Sequence, residues 1–98
     1  MLSITPSQRR FLRAKAHECH PVVMIGEAGL SASVLKELEN SLASHELIKI
    51  KVHSSDRTLR ESQLAEIVEK LHAAAVQHIG KILVIYRPAA KAKLILPK

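Results

Sequence analysis

Apolar positions along the chain change period several times, and each change marks an element. Thr5-Pro6-Ser7-Gln8 is a helix start: a threonine N-cap, a proline at the first helical position, and a glutamine placed to complete a capping box. The spacing predicts a helix to about Glu18, ending before Pro21, with Phe11 and Ala14 on its apolar side. Val22 to Ile25 is wholly apolar and reads as a short strand covered on both faces. Val34, Leu35, Leu38 and Leu42 recur at helical spacing and predict a second helix from Ser31 to Ser44. From Leu47 to His53 the chain alternates, Ile48, Ile50 and Val52 to one face and Lys49, Lys51 and His53 to the other, as in a half-exposed strand.

Residues 54–57 read as a loop, and Leu64, Ile67, Val68 and Leu71 predict a third helix from Arg60 to Ala74. Val76–Ile79 and Ile82–Arg87 read as strands joined tightly at Gly80-Lys81. A basic tail, 88–98, carries a short extended piece at Leu94-Ile95-Leu96. There is no internal repeat and no long linker. The expectation is one compact α/β domain over residues 1–98, ordered α-β-α-β-α-β-β around a mixed four-stranded sheet.

The link between the first strand and the second helix is Gly26-Glu27-Ala28-Gly29. Glycines bracketing a strand-to-helix bend let the backbone turn tightly and let a bulky anion come close. The helix that follows adds unpaired N–H groups and the positive end of its dipole, which suits a phosphate. The plainer reading is a tight turn and nothing more. Glu27 departs from the expected chemistry, because a carboxylate beside an approaching phosphate is unfavourable; turned to solvent, it would leave the backbone N–H groups facing the ligand.

Charge sharpens this picture. The chain has 15 basic and 9 acidic side chains, a formal +6. Residues 1–17 hold Arg9, Arg10, Arg13 and Lys15 without an acid, and residues 70–98 hold Lys70, Lys81, Arg87, Lys91, Lys93 and Lys98, also without one. On a helical wheel Arg9, Arg10, Arg13 and His17 share an arc of roughly 100°. If the two ends fold side by side, they make a single basic surface of the kind that binds nucleic acid. Lys91, Lys93 and Lys98 would then form a loose electrostatic arm.

An apolar content of 47% argues against disorder. Cys19 is the lone cysteine, so no intrachain disulfide forms, which suits a reducing compartment. The amino terminus has no secretory pattern and no apolar run nears the roughly 20 residues of a membrane span, so a cytoplasmic protein is expected.

Catalysis and metal binding find little support. His17, Cys19 and His20 cluster without a second group of ligands, so no metal or other cofactor is expected, and Cys19 reads as a buried small apolar residue. Asp56 is the one aspartate and no carboxylate pair for metal-assisted hydrolysis is recognisable, so no enzyme and no small-molecule substrate are expected. Phe11 and Tyr86 are the only aromatics of the Phe/Tyr/Trp class, Phe11 for the core and Tyr86 with its hydroxyl near the surface. An aromatic platform for stacking bases is excluded, and binding should depend on backbone and shape.

Four segments stand in an order and spacing that resemble a known family: Pro21–Leu30, His45–Val52, Gln77–Lys81 and Leu83–Pro88. They resemble the CRM domain (chloroplast RNA splicing and ribosome maturation) in its stand-alone bacterial, YhbY-like form, and the resemblance covers roughly residues 3–97. It implies an RNA-binding fold similar to the C-terminal domain of bacterial translation initiation factor three, with a glycine loop analogous to that of KH domains. It also implies association with precursors of the large ribosomal subunit.

The expected function is therefore non-catalytic binding of structured RNA, in particular precursor large-subunit rRNA within a pre-ribosomal particle. The candidate contacts are Gly26, Glu27, Ala28, Gly29, Arg9, Arg10, Arg13, Lys49, Lys51, Lys81 and Arg87. Two alternatives share the charge pattern: a module docking on acidic ribosomal or assembly proteins without RNA contact, and a DNA-binding protein of similar shape.

Overall fold

A computed structural model describes residues 2–97. Helix α1 spans Pro6–Ala16. Its capping box is complete, with Thr5 Oγ1 accepting from the Gln8 amide at 3.1 Å and Gln8 Oε1 accepting from the Thr5 amide at 2.9 Å. Strand β1 is Pro21–Ile25, α2 is Ala32–His45 with Ser31 as N-cap, and β2 is Leu47–Val52. Helix α3 is Arg57–Leu71, followed by β3 at Ala74–Ile79 and β4 at Ile82–Tyr86.

The order matches the expected α-β-α-β-α-β-β. Several ends move. The first helix stops at Ala16, not Glu18, and the third is displaced by about one turn at each end. Asp56 explains the early start: its carboxylate accepts from the Thr58 and Leu59 amides at 2.9 and 3.3 Å, so the 54–57 stretch caps a helix. His72 explains the early stop, since its φ of 54° takes the chain out of the helix. That frees Ala74 and Ala75 to begin β3.

The sheet runs β1-β2-β4-β3, with β1 parallel to β2 and the other neighbours antiparallel. β4, last in sequence, thus lies between β2 and β3. Period-2 alternation sends Val23, Ile25, Ile48, Ile50, Val52, Leu83 and Ile85 to one face, where α2 and α3 close the larger core through Leu38, Leu42, Ile67 and Val68. The opposite face carries Leu47, Val84 and Tyr86, covered by α1 through Leu12 and Ala16. Phe11 and Cys19 are half-buried at the edge of this second core. Ala14, expected on the apolar side, is exposed, because the buried side of α1 is centred on Leu12. Tyr86 is buried outright, and burial, with the charge of Glu46, pushes its phenol up. β1 is not covered on both faces: it is an edge strand, and Val22 and Met24 are 44% and 61% exposed.

The tail is no loose arm. Glu46, 1% exposed, follows α2 with φ 64° and ψ −51°, a conformation that costs a non-glycine residue about 1–3 kcal/mol. Its carboxylate accepts from the amides of Ala89 at 3.0 Å, Lys93 at 2.6 Å and Leu94 at 3.2 Å. Its carbonyl accepts from the Arg87 amide at 2.9 Å. Leu94 and Leu96 then lie against the second core, and Pro97 O accepts from Gln8 Nε2 at 3.0 Å. Residues 88–97 are a strap pinned by one buried carboxylate; Lys98 lies outside the described residues.

Candidate nucleic-acid interface

Hydrogen bonding from 26 to 31 shows how the glycine loop is held. Gly29 N donates to Gly26 O at 3.1 Å and Ser31 N to Gly29 O at 3.0 Å, while Glu27 and Ala28 donate to no backbone oxygen among the described residues. The Ser31 hydroxyl accepts from Val34 N at 3.2 Å and sets the start of α2. The two glycines are not equivalent. Gly29 has φ 69°, a left-handed conformation that explains its identity. Gly26 has no such φ, and a Cβ placed on it would meet nothing within 4 Å. The turn requires glycine at 29; nothing in the fold requires it at 26.

The loop lies at the carboxyl end of β1, and the same end of the sheet collects cations. His53 N donates to Ile25 O at 2.9 Å, and Val52 N to Lys81 O at 2.8 Å, so the loop, the end of β2 and the Gly80-Lys81 turn stand side by side. Lys51 pairs with Met24 on one side and Ile82 on the other, and Lys49 pairs with Val84. Alternation puts both lysine side chains on the face that α1 covers only in part. The uncovered half of that face also exposes Met24 and Ile79.

The arginines of α1 belong to the helix that packs on this same face of the sheet. Gln8 and Phe11 mark the flank of α1 against the strap. Helical geometry then turns Arg9 and Arg13 to the other flank, with Arg10 on the outer side. Arg9 Nε donates to Ala75 O at 3.3 Å, which seats it against β3. Among the described residues, Arg9, Arg10, Arg13, Lys49, Lys51 and Lys81 form no salt bridge, whereas Arg57 and Lys70 on α3 pair with Glu61 and Glu66. Exposed Glu37, Glu39, Glu61, Glu66 and Glu69 all ride on α2 and α3, the opposite layer.

Arg87 does not join this surface. It follows β4 at the far end of the sheet, where its guanidinium pairs with Glu39 and donates to Leu71 O at 3.1 Å. Lys91 and Lys93 belong to the strap. Burial pushes the Glu46 carboxyl up, but the amides of Ala89, Lys93 and Leu94 and the charge of Lys93 outweigh it and hold the group below the usual carboxylate range.

A groove of about 450 Å³ opens beside the loop, lined by Gly26, Glu27, Gly29, Val52, the 53–55 segment, Leu59 and Gln63. Sequence reasoning passed over it, because it joins three segments remote in the chain. Buried Arg60 holds the Ser54 backbone that lines it, donating from Nη1 to Ser54 O at 3.0 Å and from Nε to His78 Nε2 at 3.1 Å. Among the described residues no group of three or more His, Cys, Asp or Glu is placed to hold a metal ion, and no helix is long and apolar enough to cross a membrane.

Comparison with known proteins places the chain in a family and a fold. The CRS1 / YhbY (CRM) domain family matches residues 4–87. A Haemophilus influenzae protein named as an RNA-binding protein is 47% identical over 98 residues, covering 100% of this chain and 99% of its own length. A Bacillus subtilis protein named as a probable RNA-binding protein is 30% identical over 92 residues, covering 94% of this chain and 96% of its own. The solution structure of a Staphylococcus aureus protein, described as a candidate RNA-binding protein, superimposes with a TM-score of 0.84 at 32% identity over 99% of this chain and 100% of its own.

Proposed function

Because the chain belongs to the CRS1 / YhbY (CRM) domain family, we propose that it is a non-catalytic protein that binds structured RNA through its sugar-phosphate backbone. The names of its relatives support RNA as the ligand class. Precursor large-subunit rRNA in a cytoplasmic pre-ribosomal particle is the proposed target. The glycine loop receives phosphates on its free amides, and Lys51, Lys81, Lys49, Arg9, Arg10 and Arg13 neutralise the adjoining backbone.

One observation carries the reading: Gly26 has no conformational or steric need to be glycine, so its bare backbone suits an approaching phosphate. Gly26→Asp tests it. A side chain fits there without strain, so the melting temperature should stay within about 3 °C of wild type. Affinity for a fragment of precursor rRNA, read by fluorescence anisotropy, should fall about fivefold, since one added charge near a phosphate costs on the order of 1 kcal/mol. Undiminished affinity removes the loop from the site. In cells, crosslinking should map contacts to large-subunit precursor rRNA, and nuclease treatment should release the protein from particles. Retention after complete RNA digestion would instead indicate docking on protein.

A further inference from the structure

We propose that the groove beside the glycine loop holds one unpaired guanine of the bound RNA, read by Glu27 and Gln63 and flanked by His53. The inference rests on the RNA-binding reading and adds a base-reading subsite to it. A phosphate on the 26–29 loop leaves its attached base at the mouth of the groove, because Gly26, Glu27 and Gly29 line both. The volume of about 450 Å³ lies within the range of small-ligand sites. Val52 and Leu59 supply apolar walls, and Leu59, 44% exposed, leaves apolar surface open to a ligand. His53, exposed at the rim, offers an aromatic face, and imidazole rings stack on bases in single-stranded RNA recognition.

The polar groups of the groove select the base. Gln63 is only 8% exposed, and its Oε1 finds no donor among the described residues. A buried acceptor without a partner costs folding free energy, and a ligand that donates to it relieves that cost. Glu27 is a second acceptor on the same groove, and with two oxygens it takes two parallel donors. Guanine presents such a pair, N1–H and N2–H, on its Watson–Crick edge. Adenine and cytosine each place an acceptor beside their donor, and uracil flanks its single N–H with two carbonyls, which a carboxylate repels. On this assignment Glu27, electrostatically wrong for a phosphate, reads a base.

The test uses the full chain and a hairpin RNA whose loop is all uridine, or uridine with one guanosine, inosine or adenosine. The guanosine loop should bind about tenfold more tightly than the uridine loop, with inosine, which keeps N1–H but lacks the N2 amine, falling between guanosine and adenosine. Glu27→Gln should erase this preference and tighten binding to the uridine loop, because a repelling charge is gone. Gln63→Leu should weaken the preference at an unchanged or higher melting temperature, and exposed His53→Ala gives a second variant free of folding effects. Equal gains for guanosine and uridine loops in Glu27→Gln would overturn the assignment, leaving Glu27 a simple repulsive charge. Salt-dependent binding without a guanosine preference in the wild type would sink the groove alone, while absence of salt-dependent binding to every hairpin would sink the RNA-binding reading itself.

Discussion

Glu46→Ala is expected to destabilise the protein by about 3 kcal/mol, lowering the melting temperature by roughly 12–24 °C. Two routes lead to the same size of loss. If the strap stays in place, the amides of Ala89, Lys93 and Leu94 lose their acceptor, and orphaned buried donors cost about 1–3 kcal/mol each. If it detaches, those amides regain water, but Leu94 and Leu96 leave the second core. Alanine keeps the strained φ of 64°, so nothing offsets the loss; Glu46→Gly removes the strain and should be the milder change. Glu46→Gln should fall between wild type and alanine, because one amide oxygen can serve Lys93 and Leu94 while its NH2 meets the Ala89 donor.

The same carboxylate sets a pH dependence. Its folded-state pKa is depressed, so its contribution is complete above the ordinary carboxylate range and is lost as pH falls through the folded-state value. Acidification should therefore erode wild-type stability more than that of Glu46→Gln. Thermal melts across pH, with hydrogen exchange at the amides of Ala89, Lys93 and Leu94, check both statements. A Glu46→Ala protein melting within a few degrees of wild type would show that the strap is not held by this group.

The second large effect is electrostatic. Binding of structured RNA should weaken with salt along a log-log slope of roughly −3 to −4, as for about five neutralised phosphates. Between 50 and 200 mM salt this is a loss of about 100-fold. Replacing Arg9, Arg10 and Arg13 together with alanine should reduce the slope by about 2 and leave the fold intact, because all three are exposed. Arg87→Gln should leave the slope unchanged, since that guanidinium is held by Glu39 and Leu71 O at the far end of the sheet. A triple variant with wild-type slope would remove α1 from the interface. A reduced slope for Arg87→Gln would mean that RNA reaches much further than the loop end of the sheet.

What was legible in the chain was what depends on local period. The alternation of Ile48, Ile50 and Val52 with Lys49 and Lys51 fixed both the orientation of β2 and the side on which its lysines emerge. The 0, 3, 4, 7 spacing found α3 but misplaced its ends, because the Asp56 cap and the left-handed His72, which set them, lie outside the apolar pattern. β1 was misread because an apolar run does not reveal which of its residues are exposed; Val22 and Met24 face outward. Partnerships far apart in sequence left no trace. Arg87 with Glu39, Arg60 with His78, and Glu46 with the strap join segments that no window spans. The groove was hidden for the same reason, although His53 had been placed in the outward row of β2.

Strand order also bears on how the molecule comes into being. β4 is the final strand to be synthesised, yet β2 and β3 have no hydrogen-bonded contact except through it. Until it emerges, a nascent chain exposes one side of β2 and leaves the β3 segment unpaired, the condition under which partly made proteins associate wrongly. Translation that stalls short of Ile82 should therefore yield an aggregation-prone fragment, not a smaller folded unit.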